Sequence, residues 1–275
     1  MTIRSRAILS EDNWPQLHPP LKWAGGKRWL VPILQKLYSS HRSKRLVEPF
    51  AGGLSVSLGL MPKRALINDI SEHAINFYFW LKKGLQIELG MENDREHFLS
   101  MRKRFNALIK AGKSGTREAA ELFYYLNRTC FNGLCRFNSS GEFNVPFGKY
   151  TKINYTRDFS AYRRVFKNWT FQARDFERLR IEKSDFVYTD PPYDVEFTRY
   201  AKNDFTWRDQ LRLADWLAAL KCPVVASNQA TERVLRLYRK AGFTVQTVLA
   251  PRMISCDGNR AKAAEMLAFK NLQDP

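Results

Sequence analysis

The sequence predicts an α/β fold: a doubly wound, mostly parallel sheet carrying an inserted helical and β-hairpin segment. Three observations lead there. Short β-branched runs alternate with helical stretches of about a dozen residues, the pattern of strand–helix–strand units whose sheet is covered on both faces. That alternation is interrupted over residues 91–150 by a basic helical stretch and then by a segment rich in Asn, Gly, Ser and aromatics. At 275 residues and 44% hydrophobic content, the chain suffices for one large α/β domain with a modest insertion.

The elements follow in order. Residues 1–18 are polar and expected to be loosely ordered. In "LKWAGGKRWL" (21–30) a glycine pair precedes the helical "WLVPILQKLY". "RLVEPF" (45–50) reads as a strand and "AGGLSVSLGL" (51–60) as a glycine turn and helix. "ALIND" (65–69) is a second strand, followed by an amphipathic helix from about Ser71 to Leu81. From about Asp94 to Leu126 the pattern is helical and basic, including Arg102-Lys103-Arg104. "NRTCFNGLCRFNSSGEFNVPFGKY" (127–150) has few core-sized aliphatics, and its "NSSGE" suits a hairpin turn. Such a segment does not belong inside a parallel sheet and reads as an inserted recognition element. Strands resume at "WTFQARDF" (169–176), "DFVYTD" (185–190), "PVVASN" (223–228), "FTVQTVLA" (243–250) and "AAEMLAFK" (263–270), with helices over Trp207–Lys221 and Thr231–Ala241.

Charge narrows the partners. A net charge of +18 and a pI near 9.9 point to a polyanion. No apolar run approaches the roughly 18–20 residues of a membrane span, which favours nucleic acid over a membrane. The N-terminus has no apolar signal-type core, so cytoplasmic residence is expected. Cys130, Cys135, Cys222 and Cys256 lack the close spacing of a zinc or redox motif; they read as reduced thiols, and no metal is expected.

Two glycine turns suggest a ligand at the carboxyl ends of strands. "EPFAGG" brings Glu48, Phe50, Gly52 and Gly53 to the end of the first strand. Asp69 lies about twenty residues on, where a carboxylate can take both ribose hydroxyls of a nucleoside cofactor. The same "ND" also suits a helix N-cap. In the upstream turn Lys27 can face a carboxylate and Trp23 can lie along a cofactor, though a plain turn before a helix fits as well.

"DFVYTDPPY" is more pointed. An exocyclic nucleobase amine is a poor nucleophile, because its lone pair is delocalised into the ring. Acceptors aimed at its two N–H bonds favour rehybridisation and stabilise the developing positive charge. A rigid corner supplies two: the Asp190 carboxylate and the Pro191 carbonyl, held by Pro191-Pro192. Tyr193 can stack on a base extruded from its duplex. The competing account is a strand-terminating turn whose tyrosine packs in the core.

These motifs, with "KWAGGKR", "VEPFAGGLSVSL", "IND", the 127–150 segment and the terminal "ISCDGNRAKAAEMLAF", resemble the Dam-type DNA adenine-N6 methyltransferases, the D12 class, over about residues 20–270. The resemblance implies a class I, Rossmann-like methyltransferase domain (19–90 and 151–275) and a target-recognition domain (91–150) with a DNA-contacting hairpin. It implies S-adenosylmethionine as methyl donor, adenine in duplex DNA as substrate, base flipping, and GATC as the site. Trp23 and Lys27 would contact the methionine part of the cofactor, Phe50, Gly52 and Gly53 its loop, Asp69 its ribose, and Asp175 and Phe176 its adenine. Glu48 and Asp190 complete the cofactor set. Asp190, Pro191, Pro192 and Tyr193 would hold the target base, and Arg128, Asn132, Arg136, Asn138, Pro146 and Lys149 would meet DNA. Leu54 departs from the glycine that many members carry there.

A bacterial or phage-encoded protein is expected, acting at the nucleoid, a monomer in solution with room for two copies on one duplex. Relatives acting on rRNA adenine or protein glutamine commonly begin the corner with Asn, so Asp190 favours DNA. A silent DNA-binding regulator is disfavoured by the presence of Lys27, Asp69 and Asp190.

Overall fold

The computed structural model describes residues 17–193, 205–250 and 263–272. Residues 1–16, the chain just after Tyr193, Cys256 and the "ISCDGNRAK" part of the terminal motif lie outside the described residues.

A seven-stranded sheet runs in the order β3-β2-β1-β4-β5-β7-β6. Its strands are β1 (Arg45–Glu48), β2 (Ala65–Asn68), β3 (Trp169–Gln172), β4 (Asp185–Thr189), β5 (Val224–Gln229), β6 (Thr244–Ala250) and β7 (Ala263–Lys270). β1 to β5 pair in parallel, and β7 lies antiparallel between β5 and β6. Successive strand residues face opposite layers. Leu46, Ile67, Phe186 and Tyr188 join one apolar cluster, while Val47, Leu66 and Val187 join the other. That two-sided burial is why these strands read as continuous apolar runs.

The helices are α1 (Val31–Tyr38), α2 (Ser55–Leu60), α3 (Glu72–Lys83), α4 (Arg95–Lys110), α5 (Arg117–Thr129), α6 (Ser160–Val165), α7 (Trp207–Ala219) and α8 (Glu232–Lys240). Side-chain caps start several of them: Ser71 on α3, Asp94 on α4, Thr116 on α5 and Thr231 on α8, while Thr206 and Asp209 form a capping box on α7. α7 and α8 cover one face through Leu213, Leu217, Val234 and Tyr238. The other face carries α1 to α3, and Phe98, Phe105 and Phe123 of α4 and α5 belong to the same cluster as the sheet.

The expected strand over residues 169–176 ends early, at Gln172, because Asp175 turns the chain: its Oδ1 accepts the Glu177 amide at 3.0 Å and opens a 3-10 turn over Phe176–Arg178. The strand over 45–50 stops at Glu48, before Pro49. The α3 helix extends past Leu81 to Lys83, where Gly84 (φ +89°) ends it.

The 127–150 segment does form a hairpin. Phe137 bridges Phe143 and Cys130 bridges Phe147, both antiparallel. The turn is tied by the Asn138 amide group, whose Oδ1 accepts from the Ser140 and Glu142 backbone at 3.0 and 2.9 Å. Asn106 of α4 clamps the hairpin, donating to the Phe143 carbonyl and accepting its N–H. His73 of α3 stacks on Phe137, 4.6 Å between centroids.

Candidate active site

Strand order reverses between β1 and β4, and at such a switch point the carboxyl ends of parallel strands leave a crevice. β1 ends there at Glu48 and runs into the glycine turn; β4 ends there at Thr189, followed by Asp190-Pro191-Pro192-Tyr193. Lys27, Glu48, Asp69 and Asp190, far apart in sequence, therefore meet.

Lys27 is the hub. Its ammonium lies 3.0 Å from Asp190 Oδ2, donates to the Gly25 carbonyl at 3.0 Å, and sits 4.8 Å from the Tyr193 ring centroid. Asp190 Oδ1 accepts from the Ser227 hydroxyl at 2.9 Å, and Ser227 in turn meets the Tyr188 hydroxyl at 2.8 Å. Burial pushes the Asp190 carboxyl up to about 6, while Lys27 and Ser227 pull it down and Glu265 raises it.

Two more carboxylates share this pole. Glu48 is buried and accepts from the Ser57 hydroxyl of α2; burial pushes its carboxyl up to about 8, with the charges of Asp190 and Asp69 adding to the effect of burial. Asp69 takes the Gly52 amide on Oδ2 at 2.8 Å and the Ser71 amide on Oδ1 at 2.9 Å; its carboxyl is also raised by burial, against those hydrogen bonds.

The glycine turn is built around Trp23. A Cβ at Gly52 would lie 2.7 Å from Trp23 Nε1, and one at Gly53 would lie 2.8 Å from Trp23 Cβ, so side chains are excluded at both positions. Gly52 has φ +47°, which glycine adopts without penalty. Leu54 has φ +67°, a conformation that costs an L-residue about 1–2 kcal/mol, yet its side chain is fully buried. The residue before Trp23, Lys22, is fixed from α5: the Asn127 side chain accepts the Lys22 amide at 2.8 Å and donates to the Lys22 carbonyl at 2.9 Å.

Phe50 packs on Phe176, 5.6 Å between centroids, beside the glycine turn. Asp175 points instead to Arg212, 3.1 Å away, whose guanidinium lies 5.1 Å from the Phe176 ring. Asp175 is thus engaged at the crevice rim rather than gathered with Asp69 and Glu48.

The sequence reading missed the tethers that hold the Asp-Pro-Pro-Tyr corner. Ser227 of β5 binds Asp190. Gln210 of α7 donates to the Pro192 carbonyl at 2.8 Å and is itself held by Asn228 at 3.0 Å. Tyr193 donates to Glu265 of β7 at 2.5 Å. Ser227, Gln210 and Asn228 are fully buried polar side chains, a sequence-visible oddity only for Ser-Asn at the end of an apolar strand.

The hairpin residues lie apart from this cluster. Arg136 is exposed and bonds Asn144 through Nε at 2.9 Å; Asn132 (φ +52°), Pro146 and Lys149 (φ +48°) are exposed, flanked by the exposed apolar Phe131 and Leu134. Asn138 is committed to its turn. Arg128 stacks on Tyr124 at 5.4 Å, and its half-buried guanidinium keeps one Nε without a partner.

Chemically, the crevice sets three strand-end carboxylates, Glu48, Asp69 and Asp190, around the Lys27 ammonium, with Glu265 behind Tyr193 as a fourth, an acidic pole within a strongly basic protein. Burial raises the three strand-end carboxyls, so a cation entering here would stabilise their ionised forms.

Residues 23–251 match the profile of D12 class N6 adenine-specific DNA methyltransferases. The chain is 38% identical over 270 residues to a DNA adenine methylase of Vibrio cholerae, covering 90% of this chain and 94% of that one. It is 34% identical to the DNA adenine methylase of Salmonella typhimurium, over 90% of this chain and 94% of that one. To the type II methyltransferase M.MjaIII of Methanocaldococcus jannaschii it is 33% identical, over 90% and 96%. The chain belongs to the D12 class of N6 adenine-specific DNA methyltransferases, on a class I Rossmann-like sheet.

Proposed function

We propose that this adenine-specific DNA methyltransferase takes its methyl group from S-adenosylmethionine and delivers it to N6 of an adenine flipped out of duplex DNA, within GATC. The observation that carries the reading is the Asp190 carboxylate at the end of β4, anchored on one oxygen by Ser227 and on the other by Lys27. The acidic pole suits a ligand with a sulfonium and an α-ammonium, and Lys27 suits its carboxylate. Asp69 and the glycine turn that packs against Trp23 suit its nucleoside end.

When bound, S-adenosylmethionine supplies an electrophilic methyl whose C–S electron pair stays on sulfur as the methyl leaves. The residues of this chain act on the other partner. A carboxylate oxygen has two lone pairs, so Asp190 can keep Lys27 and Ser227 and still accept an N–H of the target amine. The Pro191 carbonyl accepts the second N–H, Tyr193 stacks on the flipped ring, and the amine lone pair turns toward the methyl. Once the N–C bond forms, nitrogen carries positive charge, Asp190 stabilises it, and a proton leaves to water.

Residues 91–150 serve as the target-recognition unit, with Arg136 and Asn132 presented on the hairpin. The test is transfer of labelled methyl to a duplex with a single GATC, against a scrambled duplex, RNA and protein; 2-aminopurine at the target adenine reports flipping by a fluorescence rise. Labelling of the scrambled duplex alone would replace GATC with another site, and labelling of RNA or protein alone would remove the DNA reading.

A further inference from the structure

A concave basic pocket of about 560 Å³ lies away from the catalytic crevice, lined by Lys82, Lys83, Ser160, Arg163, Arg164 and Lys167. Five of these six lining residues are cations and none is acidic. Its position follows from the topology. α3 starts beside Asp69 at the carboxyl edge of the sheet and runs back for 12 residues, about 18 Å. Its last turn carries Lys82 and Lys83, and the Lys82 ammonium donates at 2.6 Å to the carbonyl of Trp169, the first residue of β3. The pocket therefore sits at the amino edge of the sheet, opposite the Asp190 corner. Gly84, in the left-handed conformation, lets the Arg163 side chain lie close, its Cδ 3.2 Å from where a Cβ would be.

Basic residues near helix C-termini offset the helix dipole, and Lys82 and Lys83 do so on α3. That effect leaves the rest of the cluster unexplained. Several other arginines stand against acids: Arg45 on Asp185, Arg104 on Glu118, Arg117 on Glu88 and Glu121, Arg212 on Asp175, Glu177 and Asp209. Here five basic side chains converge on one concavity, and none of its six described lining residues is acidic, in a protein of net charge +18.

We propose that this pocket binds backbone phosphates of a second DNA segment while the first occupies the catalytic crevice. The opposite placement separates it from target recognition, and phosphate contact there would be independent of base sequence. A free phosphate or pyrophosphate shares the same chemistry and is the competing source.

The experiment saturates the full chain with a short duplex bearing the target and adds a labelled duplex without it, followed by anisotropy. The variants are Lys83→Gln/Arg163→Gln/Lys167→Gln and the charge-reversed triple to Glu. The wild type should take up the second duplex with a strong salt dependence. The neutral triple should lower the log–log salt slope by about 3 and weaken uptake by about tenfold or more, while single-turnover methylation of the short duplex stays within about twofold. Failure of the wild type to take up a second duplex would overturn the proposal. So would equal loss on both duplexes in the variants, or one-to-one binding of pyrophosphate that the second duplex cannot displace.

Discussion

The Lys27 ammonium stands 3.0 Å from Asp190 Oδ2, so the base-binding corner and the upstream glycine turn form one charged unit before any ligand enters. Asp190 is half-buried, its carboxyl pushed up to about 6 by burial and held from rising further by Lys27. If ionised Asp190 drives methylation, the rate at limiting cofactor, which reports the free enzyme, falls as pH drops through about 6. Lys27→Met removes the main opposing charge, so the midpoint should move to higher pH. A midpoint that stayed in place, with only the cofactor affinity changed, would divorce Lys27 from Asp190 in the working enzyme.

The tethers make a separate prediction. Ser227→Ala and Gln210→Ala leave the crevice lining untouched but release Asp190 Oδ1 and the Pro192 carbonyl. Each should lower the single-turnover rate about 10–100-fold with DNA affinity nearly unchanged, because misplacement by about 1 Å costs on that order. Equal losses of affinity and rate would mean that the corner's structure, rather than its aim, depends on them.

Glu48 bears on stability. Its folded carboxyl stands at about 8 against an ordinary 4.5, raised by burial and then by neighbouring charge. A raised acid stabilises the fold below its unfolded value and loses that contribution as pH rises through the folded one, and Asp190 and Asp69 act in the same sense. The unliganded protein should therefore melt at progressively lower temperature between pH 5 and pH 8. Glu48→Gln should flatten that decline; an unchanged slope in thermal melts would show that Glu48 is ionised throughout.

Arg136 is the hairpin's best-placed reader of sequence, exposed and steadied by the Asn144 side chain and carbonyl. Arg136→Ala should relax preference at one base pair, worth about 1–3 kcal/mol for a bidentate arginine–guanine contact. Methylation measured across single-base variants of the site decides this. A uniform loss on every variant would make Arg136 a phosphate contact.

How far the sequence could foresee this site depends on range. β1, β2 and β4 are legible because burial on both faces makes them unbroken apolar runs, and the ends of those strands place Glu48, Asp69 and Asp190 together. The early end of β3 is not legible, since it depends on the Asp175 side chain capping the next turn. The tethers are the least legible: Ser227, Gln210 and Glu265 lie 37, 18 and 72 residues from their partners, and only the sheet order brings β5, α7 and β7 to the corner. Asn138 shows another limit. One residue suited both a hairpin turn and a base edge, and three-dimensional packing commits its amide to the turn. Lys27 was expected near a carboxylate; that the first such group is Asp190 follows from the crossover, not from spacing.

Asp190 itself gives the sharpest prediction. With its carboxylate accepting from the target amine as positive charge develops, Asp190→Ala should lower the chemical rate far more than it lowers DNA affinity, by about 10²–10³ for loss of one preorganised partner. Asp190→Asn separates charge from geometry. Its amide keeps an acceptor oxygen and places an NH₂ donor on the other arm. If that donor faces the Lys27 ammonium, the ion pair is replaced by two donors in opposition; if it faces Ser227, the hydroxyl can rotate to accept. Partial activity in Asn would show that acceptor geometry dominates, and activity as low as in Ala would show that charge does. Asp190 need not be a strong base, because the methylated amine is acidic enough to release its proton to water. The measurement is single-turnover methylation with enzyme in excess over a short duplex, which isolates chemistry from product release. A wild-type rate in Asp190→Ala would remove the carboxylate from the transition state and leave the corner a structural turn.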